Sequence, residues 1–211
     1  MFDNLVTYHV HQSDTLPANE ALAYQYVLAG NGVFVRAETC FFTVLLPVTA
    51  CTVRGLEPLF HSFQLHVPRM PARLLATILS DARRARRPSG GRPDNGLNEV
   101  LYQFHHHGQT VHVKKPPQQA TAVSVLAPGS NDATILCDLH SHGNMPAFFS
   151  QTDDADEQAA KLYAVVGNLD TAPEIRLRVG VYGYWMALPV TAVFTGNGPF
   201  NDLHEEKNHD K

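Results

Sequence analysis

The pattern of apolar and polar positions changes near residue 70. Before that point, short apolar runs alternate with turn residues. Val33-Phe34-Val35 follows a tight turn at Gly30-Asn31-Gly32, while Phe41 to Val48, Cys51-Thr52-Val53 and Phe63 to Val67 read as further strands. No catalytic cluster appears here, so residues 1–68 read as a β-rich accessory subdomain. The period then switches. Leu74, Leu75, Ile78, Leu79 and Ala82 form one apolar stripe at helical spacing, and Pro71 suits a first helical position, so the spacing predicts a helix over 71–86.

That helix runs into Arg83, Arg84, Arg86 and Arg87, cations that complement the C-terminal end of a helix dipole. A Gly/Pro/Asn-rich loop occupies 88–96. Strands are expected at Glu99 to Phe104 and Gln109 to Val113, a short element at Ala122 to Leu126, and a turn at Pro128-Gly129-Ser130-Asn131. Thr134 to His142 reads as a strand rich in Ile, Leu and Cys. After Ser150 the pattern becomes helical, with Asp153, Asp154, Asp156 and Glu157 ahead of Ala159 and Ala160. Leu162 to Val166, Glu174 to Val181 and Tyr184 to Phe194 close the pattern as strands. In the second of these, Ile175, Leu177 and Val179 alternate with Arg176 and Arg178, which reads as half-buried. Strand and helix alternate from residue 71 onward, so the fold class is α/β, an α+β layered core over 69–196, with a polar, mobile tail at 197–211.

Composition narrows the function classes. The chain has 211 residues, 44% of them hydrophobic and 17% charged, which is ample for a core. A net charge of -4 argues against a broad nucleic-acid or anionic-membrane surface and leaves the arginine cluster as a local basic patch. There is no apolar run of about 18 residues, and the N-terminus lacks the basic-then-apolar layout of a secretory signal. Cys40, Cys51 and Cys137 match no disulfide framework, so a reducing, cytoplasmic setting is expected. Twelve histidines invite a metal reading without placing a metal.

The chemistry concentrates between Asp138 and Asp153. Side chains two apart in a strand point the same way, so His140 and His142 share a face and can share a metal. Cys137 falls on the opposite face. A third ligand must come from outside the strand, and Asp153 can supply it from the start of the next helix. Two neutral histidines and one carboxylate leave a fourth position open, which is the layout of a catalytic zinc. Ser150-x-x-Asp153 equally reads as a helix cap. His105-His106-His107 reads as an exposed strand end, and Asp138 as either a partner behind the histidines or a solvated group.

His140-Ser141-His142, seven residues, Ser150, two residues and Asp153 together resemble the JAMM motif of the JAB/MPN metallopeptidases. The likeness extends over roughly 70–195. It implies a JAB/MPN-like, cytidine-deaminase-like mixed sheet flanked by helices, and one zinc ion held by His140, His142 and Asp153. It implies Ser150 as the residue that stabilises an oxyanion, and an upstream glutamate as general base. Glu99, opening a strand after a helix and a loop, suits that role; Glu38 competes with it. Family members often carry proline after the second histidine and glycines after the glutamate. Here Gly143 stands at the first place, and Val100-Leu101-Tyr102-Gln103-Phe104 follows Glu99. The implied activity is hydrolysis of an amide bond by a peptidase or isopeptidase, at the tail of a ubiquitin-like protein or its conjugate. A non-catalytic scaffold and a DNA-associated protein of RadC type are the other functions the wider family offers. More loosely, the whole chain is similar to the protein A family of the bacterial PRTRC cassette, which implies a ThiF-like activating enzyme as a partner.

Overall fold

A computed structural model describes residues 4–85, 98–108, 110–120, 125–126 and 132–204. The expected loop at 88–96, Arg86 and Arg87, the turn at 128–131 and the tail from 205 lie outside the described residues, as does most of the expected element at 122–126. The chain forms two compact units. One comprises Met1–Pro68 with Asp154–Ala160 and Val179–Met186, and the other Arg69–Asp153, Lys161–Arg178 and Ala187–Lys211.

The first unit holds a five-stranded sheet of β1 (Val6–Val10), β2 (Tyr24–Ala29), β3 (Gly32–Glu38), β4 (Phe42–Ala50) and β5 (Ser62–Leu65), in that order. β1 runs parallel to β2 and the remaining neighbours are antiparallel. Val27, Ala29, Phe34 and Leu45 form its core, with Leu16 and Leu59 packed against them. A Cβ on Gly30 would lie 2.3 Å from the Leu56 carbonyl oxygen, so the β2–β3 turn needs glycine for close backbone approach. Cys51-Thr52-Val53 is not a strand. Its amides bond back to that turn, Cys51 N–H to Asn31 O and Val53 N–H to Gly30 O, and this irregular pair builds no ladder.

The rest of the chain begins with α1 (Arg73–Ala82), which buries Leu75, Ile78, Leu79 and Ala82. The helix is shorter than 71–86. Arg83 already lies beyond it, and its Nε donates to Leu169 O at 2.7 Å instead of marking a free basic end. Then follow β6 (Leu101–His107), β7 (Thr110–Lys114), the short pair β8 (Gln119–Ala120) and β9 (Val125–Leu126), and β10 (Ile135–Ser141). After them come α2 (Gln151–Asp156), β11 (Lys161–Gly167), β12 (Glu174–Val181), β13 (Tyr184–Leu188), a 3-10 turn at Val190–Ala192, and β14 (Asn201–Asp202). The main sheet has the order β13-β12-β11-β10-β6-β7, with β14 paired to β12.

β10 runs parallel to β11 and antiparallel to β6, so the motif strand has a neighbour on each side. Leu136 and Leu139, on its two faces, are fully buried, as are Phe104 and Leu162. Phe104 meets Phe194 edge-on at 5.5 Å.

The architecture is α+β, with mixed sheets and two α-helices among the described residues. It is poorer in helix than the alternating pattern implied. α2 has six residues and buries none of them, so it cannot cover a sheet face. Residues 197–204 also differ from the expected mobile tail. Asn201 and Asp202 pair in parallel with Glu174 and Ile175, and Phe200 is buried. No helix of the described residues is long and apolar enough to cross a membrane.

Candidate metal centre

His140 is the penultimate residue of β10, and the extended chain continues one step further because His142 N–H donates to Val166 O at 2.8 Å. Both imidazoles therefore face one side, with Nε2 atoms 3.0 Å apart. Gly143 then turns the chain with φ of 57°, a left-handed value open to glycine and closed to proline, whose ring holds φ near about −65°. The turn leads a short loop back over β11. A Cβ on Gly167 would stand 2.4 Å from Ala147 N and Met145 O, so this loop lies directly on bare backbone. It is tied there by Asn168 N–H to Met145 O and Leu169 N–H to Gly143 O.

The loop delivers Ser150 and Asp153 to the start of α2. Ser150 N–H donates to Asp153 Oδ2 at 2.6 Å, and Asp153 N–H donates to Ser150 Oγ at 3.2 Å. This is a reciprocal helix cap. It does not compete with a ligand role, because the two carboxylate oxygens divide the work. Oδ2 is held by the cap while Oδ1 lies 3.3 Å from His140 Nε2.

Glu99 sits just before β6, with its Oε1 3.9 Å from His142 Nε2 and its side chain only 7% exposed. Glu38, the competing carboxylate, ends β3 and is exposed. The structure thus brings Glu99, His140, His142, Ser150 and Asp153 together within the second unit.

Electrostatics follow from burial. Burial lowers His140 to about 4 against the attraction of Asp153, with His142 and Arg178 lowering it further. Burial also lowers His142. Both are neutral near pH 7, the form that ligates a metal. Burial, then the negative charge of Asp153, pushes the Glu99 carboxyl up to about 7.

The donor set fits zinc. Zinc bonds of about 2.0–2.1 Å to nitrogen and oxygen place tetrahedral ligand atoms roughly 3.3 Å apart. The observed separations along His142–His140–Asp153 are 3.0 and 3.3 Å, and the three ligand atoms lie within 4.8 Å of one another. His142 Nδ1 lies 3.3 Å from Pro146 O, a carbonyl that can only accept, so Nδ1 carries the proton and Nε2 presents a lone pair. Lone pairs from Asp153 and Glu99 approach the same space, and one shared proton cannot satisfy them all. Cys137 stays on the opposite face, fully buried and outside this group.

Other expected groups fall differently. His105 and His106 are buried, and His105 Nδ1 lies 2.9 Å from Thr134 Oγ1 and 3.3 Å from Asp132 Oδ2, so only His107 suits an exposed strand end. Asp138 Oδ2 accepts from Lys161 Nζ at 2.9 Å. Arg178, read as the solvent side of β12, is buried with its guanidinium 3.7 Å from the Phe149 ring centroid. The loop that carries Ser150 covers that face: Arg176 Nε donates to Ala147 O at 2.9 Å. The apolar-rich sequence of the loop following the motif strand was the available signal. The Phe148 ring meets His142 edge-on at 4.7 Å.

Residues 89–179 match the sequence profile of prokaryotic homologs of the JAB domain. The likeness to the JAB family lies in this segment. The matched span contains Glu99, His140, His142, Ser150 and Asp153. The JAB family holds both peptidases and non-catalytic members, and many of its domains bind zinc. No curated protein matches the chain.

Proposed function

We propose that the chain is a zinc-dependent JAMM-type peptidase or isopeptidase that hydrolyses an amide bond. One observation carries this reading. His140 Nε2 lies 3.0 Å from His142 Nε2 and 3.3 Å from Asp153 Oδ1, all three within 4.8 Å of one another, while a buried carboxyl, Glu99, stands 3.9 Å from His142.

Zinc, when bound, supplies Lewis acidity that polarises a carbonyl and acidifies water. Glu99 accepts the proton of the attacking water at a carboxylate oxygen and returns it to the leaving amine. Its raised proton affinity suits both halves of that task near neutral pH. Ser150 Oγ accepts from Asp153 N–H, which leaves the hydroxyl proton to donate to a developing oxyanion. Phe148, 44% exposed beside His142, lines the approach for an extended chain. The substrate class is a flexible protein tail, that of a ubiquitin-like protein or its conjugate. The PRTRC-like reading of the whole chain adds a ThiF-like activating enzyme as partner, and the layered cytidine-deaminase-like fold accompanies the JAB assignment.

Metal analysis of the purified full chain, with cleavage of ubiquitin-like tail conjugates and internally quenched peptides, tests the reading. One bound zinc and chelator-sensitive cleavage are expected. A chain that takes up no zinc under saturating conditions is a scaffold instead.

A further inference from the structure

The reading of Glu99 as base leaves open what holds it in place, since it precedes β6 and has no ladder of its own. In β10 and β6, His140 stands opposite Leu101, so Ser141 stands opposite Val100. An antiparallel pair of this kind exchanges two backbone hydrogen bonds. Here Ser141 N–H donates to Val100 O at 3.0 Å as the ladder requires. The return bond goes elsewhere: Val100 N–H donates to Ser141 Oγ at 3.0 Å. A side-chain hydroxyl thus replaces the backbone acceptor at the last rung.

That exchange has a geometric consequence. With its amide satisfied by a hydroxyl, the chain at Val100 leaves the sheet without stranding a buried N–H, since Val100 is 2% exposed and Ser141 fully buried. The next residue outward is Glu99. One step further along the same register Glu99 falls opposite His142, the residue following Ser141, and its Oε1 lies 3.9 Å from His142 Nε2. The same short segment, His140-Ser141-His142, supplies two metal-binding side chains on one face and the clamp for the base from the residue between them.

We infer that Ser141 is a positioning residue for Glu99, acting through its hydroxyl on the Val100 amide. This deepens the peptidase reading and rests on it.

The test uses the full chain loaded with zinc, as wild type, Ser141→Ala, Ser141→Thr and Ile78→Val. The last is a control in α1 matched for thermal stability. Three quantities are read: zinc stoichiometry, hydrogen exchange at the Val100 amide, and kcat and KM on an internally quenched peptide that the wild type cleaves. Ser141→Ala is expected to keep its zinc, to exchange the Val100 amide about tenfold faster, and to lose about 10- to 100-fold in kcat at unchanged KM. Ser141→Thr restores the hydroxyl and with it both protection and kcat. Wild-type kcat in Ser141→Ala overturns the inference, and so does an equal loss of kcat in Ile78→Val, which would mark a general stability effect. A wild-type chain that neither holds zinc nor cleaves overturns the peptidase reading itself. In that case the exchange rates still decide whether Ser141 holds Val100.

Discussion

Asp153 caps α2 and, in the proposed site, also holds zinc, and one substitution can separate the two roles. Its Oδ2 accepts from Ser150 N–H in the cap, and its Oδ1 faces His140 Nε2 at 3.3 Å. In Asp153→Asn the amide oxygen can keep the cap, which leaves the NH2 group toward His140 and removes a ligand. Zinc sites with four protein ligands are worth about 10–16 kcal/mol, so one ligand is roughly 3 kcal/mol, or about 10²-fold in affinity. Asp153→Ala loses the cap as well, at about 1 kcal/mol, or about 2–4 °C in a chain of this size. Zinc affinity by competition with a chromophoric chelator and melting of the zinc-free proteins near neutral pH read the two effects separately. Both variants should bind zinc about 10²-fold more weakly, and only the alanine variant should melt earlier. Wild-type zinc affinity in Asp153→Asn would remove Asp153 from the ligand set. A zinc-free asparagine variant that melts as early as the alanine one would show that the carboxylate acts through the cap.

Two more outcomes follow from the geometry. Glu99 is raised from 4.5 to about 7, so the zinc-free folded state holds a proton that the unfolded chain releases in that window. Stability from this group is full below the lower value and is lost as pH rises through the upper one. Glu99→Gln should therefore make the zinc-free protein about 2–3 kcal/mol more stable than wild type at about pH 8, with the difference closing near about pH 4, while abolishing cleavage. Denaturant titrations at the two pH values check it, and a variant less stable than wild type at the higher pH refutes it. Gly167→Ala drives a methyl into Ala147 N and Met145 O, backbone atoms that cannot yield as a side chain would. It should cost about 1–3 kcal/mol and weaken zinc binding, because the displaced loop carries the Pro146 carbonyl that orients His142. Thermal denaturation with a zinc titration checks this, and wild-type values in both would refute it.

The parts of the candidate site that could be read from the sequence are those governed by short-range periodicity. His140 and His142 share a face because strand side chains alternate, and the extended chain persists through His142. Ser150 and Asp153 lie three apart at a helix start, and the cap leaves the ligand meaning of that spacing open, because a carboxylate has two oxygens and the cap engages Oδ2 while Oδ1 faces His140. Glu99 was less legible. Nothing local marks it, since it lies outside β6 and next to Val100, whose amide donates to the Ser141 hydroxyl 41 positions further along the chain. The burial of Arg178 is hidden from the sequence for a related reason. Alternation in β12 separates two faces but does not say which is wet, and the loop around Ala147 to Phe149 covers the side that bears both arginines. His105 and His106 read as part of an exposed strand end, whereas Thr134 and Asp132 fold over the first of them.

By itself the sequence determined the strand-borne histidine pair, the capped aspartate after it and the stripe of α1, because each depends on residues within a few positions of one another. Only the tertiary structure decided the depth at which these groups sit. Burial makes both histidines poor bases and Glu99 a strong one, and burial is set by whatever the rest of the chain lays over the site. Only the tertiary structure decided, too, that Gly143 and Gly167 let a loop close onto bare backbone. Steric fit between residues far apart in the chain leaves no local period to read.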